Sequence, residues 1–355
     1  MALALVLISC QSAPPSPSAT ISPSASAAGS RSPAPAITPV AKSRGTALED
    51  AIVIDLPTDG GFEIAADDGA IASVNRGADG STELVVIDLR TNERHRVNTQ
   101  PGRFIYLMPG GALRRDLVTY FQQEDRGGRV GGGQVVTFHV MVANWRTGVA
   151  PVEIDAVAGE IEPDPHLNMY FPNPVTNGRD VVWLHAPRVD GKPGDIEVRR
   201  WTAGATAVTY HGEGAYALDD DGRIALSANK GATAELLLVD ASGATRTITT
   251  RDRGGAPYLA GPKIVWARAP NGPLAITAVD VVDIARGASA AVMAKCPFIG
   301  ATVRHVVFGC RADGSRVVSV DDLTADDVDP FFFRADPHAI IGRDHERWTV
   351  TPVVN

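Results

Sequence analysis

The sequence predicts an all-β chain in which one small antiparallel sheet is repeated many times, and three observations predict it. Apolar runs are short, rich in Val and Ile, and cut every few residues by Gly, Pro, Asp or Asn, which is the grammar of strands and turns rather than helices. A strand–turn–strand–loop–strand unit recurs roughly every 40 to 60 residues. The third strand of each unit then runs into a similar turn, and a fourth short strand follows it.

The first two strands of the unit appear as FEIAADDGAIAS from Phe62, YLMPGGALRRDLVTY from Tyr106, FPNPVTNGRDVVW from Phe171, YALDDDGRIAL from Tyr216, YLAGPKIVW from Tyr258 and FIGATVRHVVF from Phe298. A weaker copy, IIGRDHERWTV, begins at Ile340. The third strand and its turn recur in segments ending at Asn92, Gly148, Gly204, Gly243 and Gly287, with a variant lacking the glycine at Thr324. Fourth strands are expected near 94–98, 207–211 and 245–250. Tyr120, Trp183, Trp266 and Phe308 fall near the ends of second strands, where side chains pack between sheets. Phe331-Phe332-Phe333 fits an internal strand covered on both faces.

Four-stranded units repeated in this way are the signature of a β-propeller, whose blades each bury both faces against their neighbours. A two-sheet sandwich would not readily produce six consecutive copies of one unit. Six units are near complete, and the seventh stops after two strands. Residues 51–56 precede the first blade where a fourth strand of the preceding one would sit. Seven blades are therefore expected, the last closed by both ends of the chain and possible with only three strands; six blades plus a closing strand is the alternative. Over about residues 50–355 the pattern resembles the TolB-like and WD40-like propellers of bacterial envelopes. That resemblance implies a fold and leaves the activity open.

The first ten residues, MALALVLISC, end in Leu7-Ile8-Ser9-Cys10. This segment resembles the lipobox of bacterial lipoproteins, which implies that the Cys10 thiol receives a diacylglycerol, although no Lys or Arg precedes the apolar run. Residues 11–45 are almost entirely Ser, Pro, Ala, Thr and Gly, a composition that cannot bury enough apolar surface to offset chain entropy. The organisation expected is a signal segment at 1–10, a disordered tether at 11–45 and a propeller at 46–355. No later segment offers the roughly 20 consecutive apolar residues that span a bilayer. The membrane is thus the expected partner through the lipid on Cys10, with the folded part a monomer in the extracytoplasmic space.

Cys296 and Cys310 open the first strand and close the second strand of the sixth unit. Facing residues of that hairpin should have numbers summing to about 606, as 296 and 310 do. A structural disulfide is expected there, with two reduced core cysteines as the other reading.

With 21% charged residues and a net charge of -8, the chain offers no basic surface for nucleic acid. It contains no nucleophile elbow, zinc helix, P-loop or dinucleotide fingerprint, so no catalytic residue is assigned and no cofactor is implied. Asp219-Asp220-Asp221-Gly222 superficially suggests a calcium loop, but Ala217 breaks the alternation of ligands and a tight turn explains it better, as at Asp67-Asp68-Gly69. The long connections are read at 122–134, 156–169 and 186–195, on the face that carries second-to-third-strand loops and blade connections. Asp164-Pro165-His166 and Asp336-Pro337-His338 are both read as standing just before a first strand. Their carboxylates and imidazoles, with Glu162, Glu213 and Asp252 nearby, are compatible with a channel-mouth ligand or cation. The plainer reading is an Asp-Pro turn with an ordinary rim histidine. The function expected is a binding or interaction module for a protein, peptide or glycan; the alternative is a hydrolase or lyase acting on envelope or extracellular saccharide.

Overall fold

A computed structural model describes residues 52–54, 64–77, 81–98, 104–108, 110–130, 133–161, 171–189, 192–231, 233–268, 276–310, 314–328, 331–344 and 347–353. Cys10, the 11–45 segment, Asp164 and His166 lie outside the described residues.

Seven antiparallel four-stranded blades form a ring, in strand order from the axis outwards. Blade 1 comprises Ile64–Ala66, Ala70–Arg76, Thr82–Asp88 and Arg94–Arg96. In blade 2 the first strand is split into Phe104–Tyr106 and Leu113–Arg114, and Leu117–Val130, Gly133–Asn144 and Val152–Ile161 follow. Blade 3 is Val175–Thr176, Asp180–His185, Glu197–Thr202 and Ala205–His211; blade 4 is Gly214–Leu218, Ile224–Lys230, Thr233–Val239 and Thr245–Asp252. Blade 5 is Gly254–Ala260, Lys263–Arg268, Ala278–Asp283 and Ser289–Met293; blade 6 is Phe298–Ala301, His305–Cys310, Gly314–Ser319 and Ala325–Val328. Blade 7 takes Phe331–Asp336, Ala339–Asp344 and Arg347–Pro352 from the end of the chain and Ile52–Ile54 from its beginning. The outer strand pairs Ile52 with Val350, Val53 with Thr349 and Ile54 with Trp348, so both ends of the chain build the last blade and it has four strands.

The core is a series of layers between neighbouring blades. Trp183, Trp266, Tyr120 and Phe308 are fully buried, as their recurrence at second-strand ends requires. Phe332 packs against Val307 and Val317 of blade 6, while Phe333 turns the other way, towards Trp348 and the layer shared with blade 1.

Three sequence expectations are corrected. Blade 7 receives three strands from the chain's end rather than two, because Phe331–Asp336 is its first strand and Ala339–Asp344 its second. Asp336-Pro337-His338 therefore forms the turn between first and second strands, not a connection before a first strand. Finally, much of 122–134 and 156–161 is not loop. The second and third strands of blade 2 are 14 and 12 residues long and its fourth is 10. The run at 126–128 is absorbed as a bulge between Asp125 and Arg129. Gly127 and Gly128 adopt φ of 65° and 125° there, conformations that glycine accepts without steric cost. Within 186–195, Arg188–Val189 and Lys192–Pro193 form a small hairpin of their own.

Candidate functional site: a charged plug at the axis and a raised wall opposite

The turns between first and second strands gather at one end of the axis, and four of them contribute charge. Arg114, at the blade 2 turn, donates from Nη1 to Asp67 of blade 1 (2.7 Å). Its Nε and Nη2 donate to Asp220 of blade 4 (3.0 and 2.8 Å). This fork-to-carboxylate geometry is the strongest that a guanidinium makes. The second Asp67 oxygen accepts from the Arg115 backbone N–H (2.7 Å). From blade 7, His338 Nε2 lies 3.4 Å from Asp220 Oδ1. The Asp219-Asp220-Asp221-Gly222 segment is the tight turn expected. Asp219 N–H donates to Arg223 O and Gly222 N–H to Asp219 O, and Gly222 has φ 82°.

The two carboxylates respond to the same guanidinium in opposite ways. Burial pushes the Asp67 carboxyl up, and Arg114 only partly counters it. Burial acts to raise Asp220 as well, but hydrogen bonds and charge from His338 and Arg114 outweigh it and hold that carboxyl well below the usual range. Leu113, Asn177, Val303, Pro337 and His338 surround the remaining space, which amounts to about 20 Å³, room for roughly one water. This mouth is closed.

Asp336 does not face that space as a ligand. It is fully buried and accepts from Arg334 Nε (2.9 Å), Ala66 N–H (2.8 Å) and Gly110 N–H (3.0 Å). Arg334 also donates to Ile64 O and, at 2.8 Å, to Met108 O. One ion pair on the first strand of blade 7 thereby ties blades 1 and 2 to it. Asp164 and His166, expected to complete a site with Asp336 and His338, lie outside the described residues. In blade 3 the first-to-second-strand turn is formed by Asn177, Gly178 and Arg179. Among the described residues, no group of three His, Cys, Asp or Glu side chains is arranged to hold a metal ion.

Sequence reasoning missed Arg114, Asp67 and Arg334. The usable signal was charge at first-to-second-strand turns, visible only once the strand phase is known.

The opposite face differs. The long strands of blade 2 carry it beyond its neighbours, and the hairpin at 188–193 of blade 3 packs beside its fourth strand, with Arg188 Nε 3.5 Å from Glu160. Asp155 joins the two blades: it accepts from Trp183 Nε1 (2.7 Å), contacts His185 Nδ1 (2.7 Å) and meets Arg199 (3.3 Å). His139 lies between Glu124 (2.8 Å) and Glu153 (2.9 Å), clasping three strands of blade 2. The result is a wall built from two cross-linked blades on one side of this face.

The carboxylate pattern predicts acid lability. Hydrogen bonds and nearby cations hold Asp155, Asp180 and Asp220 below their ordinary values, against the opposing effect of burial. Groups lowered in the folded state add stability that is present above the unfolded pKa, about 3.9, and is lost as pH falls through the folded value. Asp67 and Asp219, which are raised, act in the reverse sense and only partly offset this. The urea midpoint should therefore fall steeply below about pH 4, and less steeply in Asp220→Asn. Equal slopes for the two proteins would contradict the assignment.

No protein-family model matches the chain, and no curated protein matches it. Solved structures do. An oligogalacturonate lyase in complex with manganese is similar with a TM-score of 0.52 at 14% identity, over 81% of this chain and 87% of that one. TolB from Acinetobacter baumannii is similar with a TM-score of 0.42 at 16% identity, over 81% of this chain and 65% of that one. BamB from Moraxella catarrhalis is similar with a TM-score of 0.42 at 12% identity, over 85% of this chain and 98% of that one. At these identities the likeness is one of fold, and the fold is a seven-bladed propeller.

Proposed function

We propose that this chain is an extracytoplasmic, lipid-tethered propeller that works as a binding module, with its ligand seated on the face where blade 2 stands proud. The observation that carries this reading is the closed axis. Arg114, Asp220 and His338 fill the mouth on the first-to-second-strand side, so among the described residues it is the opposite face that offers a partner relief. The enzyme alternative would need carboxyl groups free to exchange protons across the axis. Asp67 and Asp220 are instead held by one guanidinium, which suits them to structure.

Site-specific photocrosslinking tests the face. Benzoylphenylalanine at Arg126 or Lys192, on the raised side, should give discrete adducts in intact cells. The same residue at Arg90 or Arg304, on the plugged side, should give few. Adducts distributed equally between the two faces would refute the assignment.

The cysteines extend the proposal. Acylation of Cys10 would hold the protein at the outer side of the membrane, since two acyl chains suffice for stable anchoring. Cys10→Ala is expected to move it from the membrane fraction to the soluble fraction, and unchanged fractionation would remove the anchor. The pairing of Cys296 with Cys310 is supported by the hairpin register. Phe298 faces Phe308, and Gly309 N–H donates to Pro297 O at 2.9 Å, so the pattern carries on towards 296 and 310. Denatured, unreduced protein should show no titratable thiol. Replacing both cysteines with alanine should cost about 2–4 kcal/mol.

A further inference from the structure

The turns between third and fourth strands lie at the plugged end of the ring, and those of blades 2 and 3 differ from the others. Blade 1 turns through Asp88, Arg90 and Glu93, blade 4 through Asp240, blade 5 through Asp283 and Arg286, and blade 6 through Asp321 and Asp322. Residues 147–152 of blade 2 and 201–210 of blade 3 contain no charged residue. We propose that this uncharged corner of blades 2 and 3 rests against the membrane surface, so that the plugged end faces the bilayer and the raised wall faces away; the inference rests on the lipid tether and binding face proposed above and adds the contact that orients them.

Exposure and packing make the corner a surface rather than a scatter of side chains. Val149 and Val152 are 68% and 54% exposed, with Ala150 and Pro151 between them, and Val208 is 43% exposed. Ile154, two residues beyond Val152, and Trp201, paired with Thr206, pack against the same apolar layer of Val142, Val181 and Trp183. That layer joins the two stretches. The charges that flank the blade 2 stretch are held elsewhere. Arg146 stacks over Trp145 at 4.1 Å and pairs with Asp88 (2.6 Å) and Asp116 (2.7 Å), and Glu153 lies 2.9 Å from His139. Contiguous exposed apolar residues on an otherwise charged surface mark a contact. With no charge to desolvate, this one can enter the apolar boundary of a bilayer at little cost.

The course of the chain selects the membrane as the occupant. Ile52 stands opposite Val350, and the strand of Val350 runs on to Pro352, which faces Ala339, the residue after His338 of the plug. The chain that leads from Cys10 therefore enters the ring at the plugged end, the end that carries the corner. Acylation of Cys10 would hold the ring close to the bilayer without fixing which face looks outward. Under that confinement a weak contact becomes intramolecular, with an effective concentration on the order of millimolar, so a few exposed valines suffice. Blade 2 then carries the corner at one end and the extension of its long strands, Leu117–Val130 and Gly133–Asn144, at the other. Contact at the corner turns that extension away from the lipid.

Fluorescence quenching tests this on the acylated chain, purified from membranes and reconstituted on phosphatidylcholine vesicles with brominated acyl chains. After subtraction of the parent signal, Val149→Trp should be quenched about twofold or more above Arg126→Trp on the raised side. Both positions are exposed, so neither variant should change Tm. Adding Val152→Asp to Val149→Trp should abolish the difference, because a carboxylate resists transfer into the acyl boundary. Equal quenching at the two positions overturns the proposal, as does a difference that Val152→Asp leaves intact. Benzoylphenylalanine at Val149 that joins two copies of the chain would give the corner to a dimer and overturn it as well. Failure of the acylated chain to float with the vesicles would remove the anchor and this contact with it, whereas flotation with equal quenching removes the contact alone. Crosslinks from Arg126 and Lys192 depend on neither result, so failure of the binding face is separately visible.

Discussion

Replacing Arg114 with methionine is expected to destabilise the protein by about 3–5 kcal/mol, with a fall in Tm of roughly 6–15 °C. The side chain is 9% exposed and donates three hydrogen bonds to two carboxylates from different blades. Methionine fills comparable space, so the loss is electrostatic rather than a cavity. It leaves Asp220 in contact with His338 and Asp67 with the Arg115 N–H. The two carboxylates should not be equivalent in the reverse experiment. Asp67 is already pushed towards its neutral form by burial, so Asp67→Asn should cost less than Asp220→Asn, whose carboxyl is held firmly ionised. Combining Arg114→Met with both asparagines should recover much of the loss, because replacing all members of a buried ionic group is far milder than removing one. Arg304→Ala, at an exposed turn on the same face, should change stability by no more than about 0.5 kcal/mol. Urea unfolding of these variants checks the series; a loss under 1 kcal/mol for Arg114→Met would show that the plug does not hold the axis.

Much of the ring could be read from the sequence, and the failures have definite physical causes. Recurring turns after third strands gave the phase of most blades, and the apolar residues at 51–56 pointed to closure by both ends of the chain. Phase was lost in blade 7. Phe331–Asp336 has aromatic residues on both faces and no glycine turn before it, and Asp-Pro reads as a connector although it closes a tight hairpin. In blade 2 the glycines at 127 and 128 were read as a loop, yet they serve a bulge within a 14-residue strand. Glycine reports permitted backbone angles, and a bulge uses them as well as a loop does. Arg114 escaped for another reason. Arg114 and Arg115 are adjacent in one turn, and what buries the first is Asp220, 106 residues away. No local pattern encodes a contact of that span. Phe298 and Phe308 lie within one hairpin, so their facing positions were open to register counting.

Asp336→Ala should open the ring at its seam, at a cost of about 4 kcal/mol or more. Three donors lose their acceptor at once: Nε of Arg334, a residue 4% exposed, the buried N–H of Ala66 and the partly buried N–H of Gly110. Asp336→Asn retains one carbonyl oxygen and should cost distinctly less. Location matters more than size here. Hydrogen exchange under native conditions should accelerate in Ile64–Ala66 of blade 1 and in the strands of blade 7, including Ile52–Ile54, while blade 4 stays protected. Uniform acceleration around the ring would instead mean that Asp336 supports the fold as a whole. The seam has reason to depend on this residue. Its outer ladder is three residues long, Ile52 to Ile54 against Trp348 to Val350, and short ladders between chain ends fray readily. Other neighbouring blades are joined by continuous chain, so a break in their packing still leaves them tethered. Blades 7 and 1 meet through that outer strand, the apolar layer around Ile71, Ile87 and Trp348, and the Arg334–Asp336 pair. Of these three, the ion pair reaches across to blade 2 as well, through Met108 O and Gly110 N–H. It therefore fixes the first strands of three blades relative to one another at the point where the chain does not.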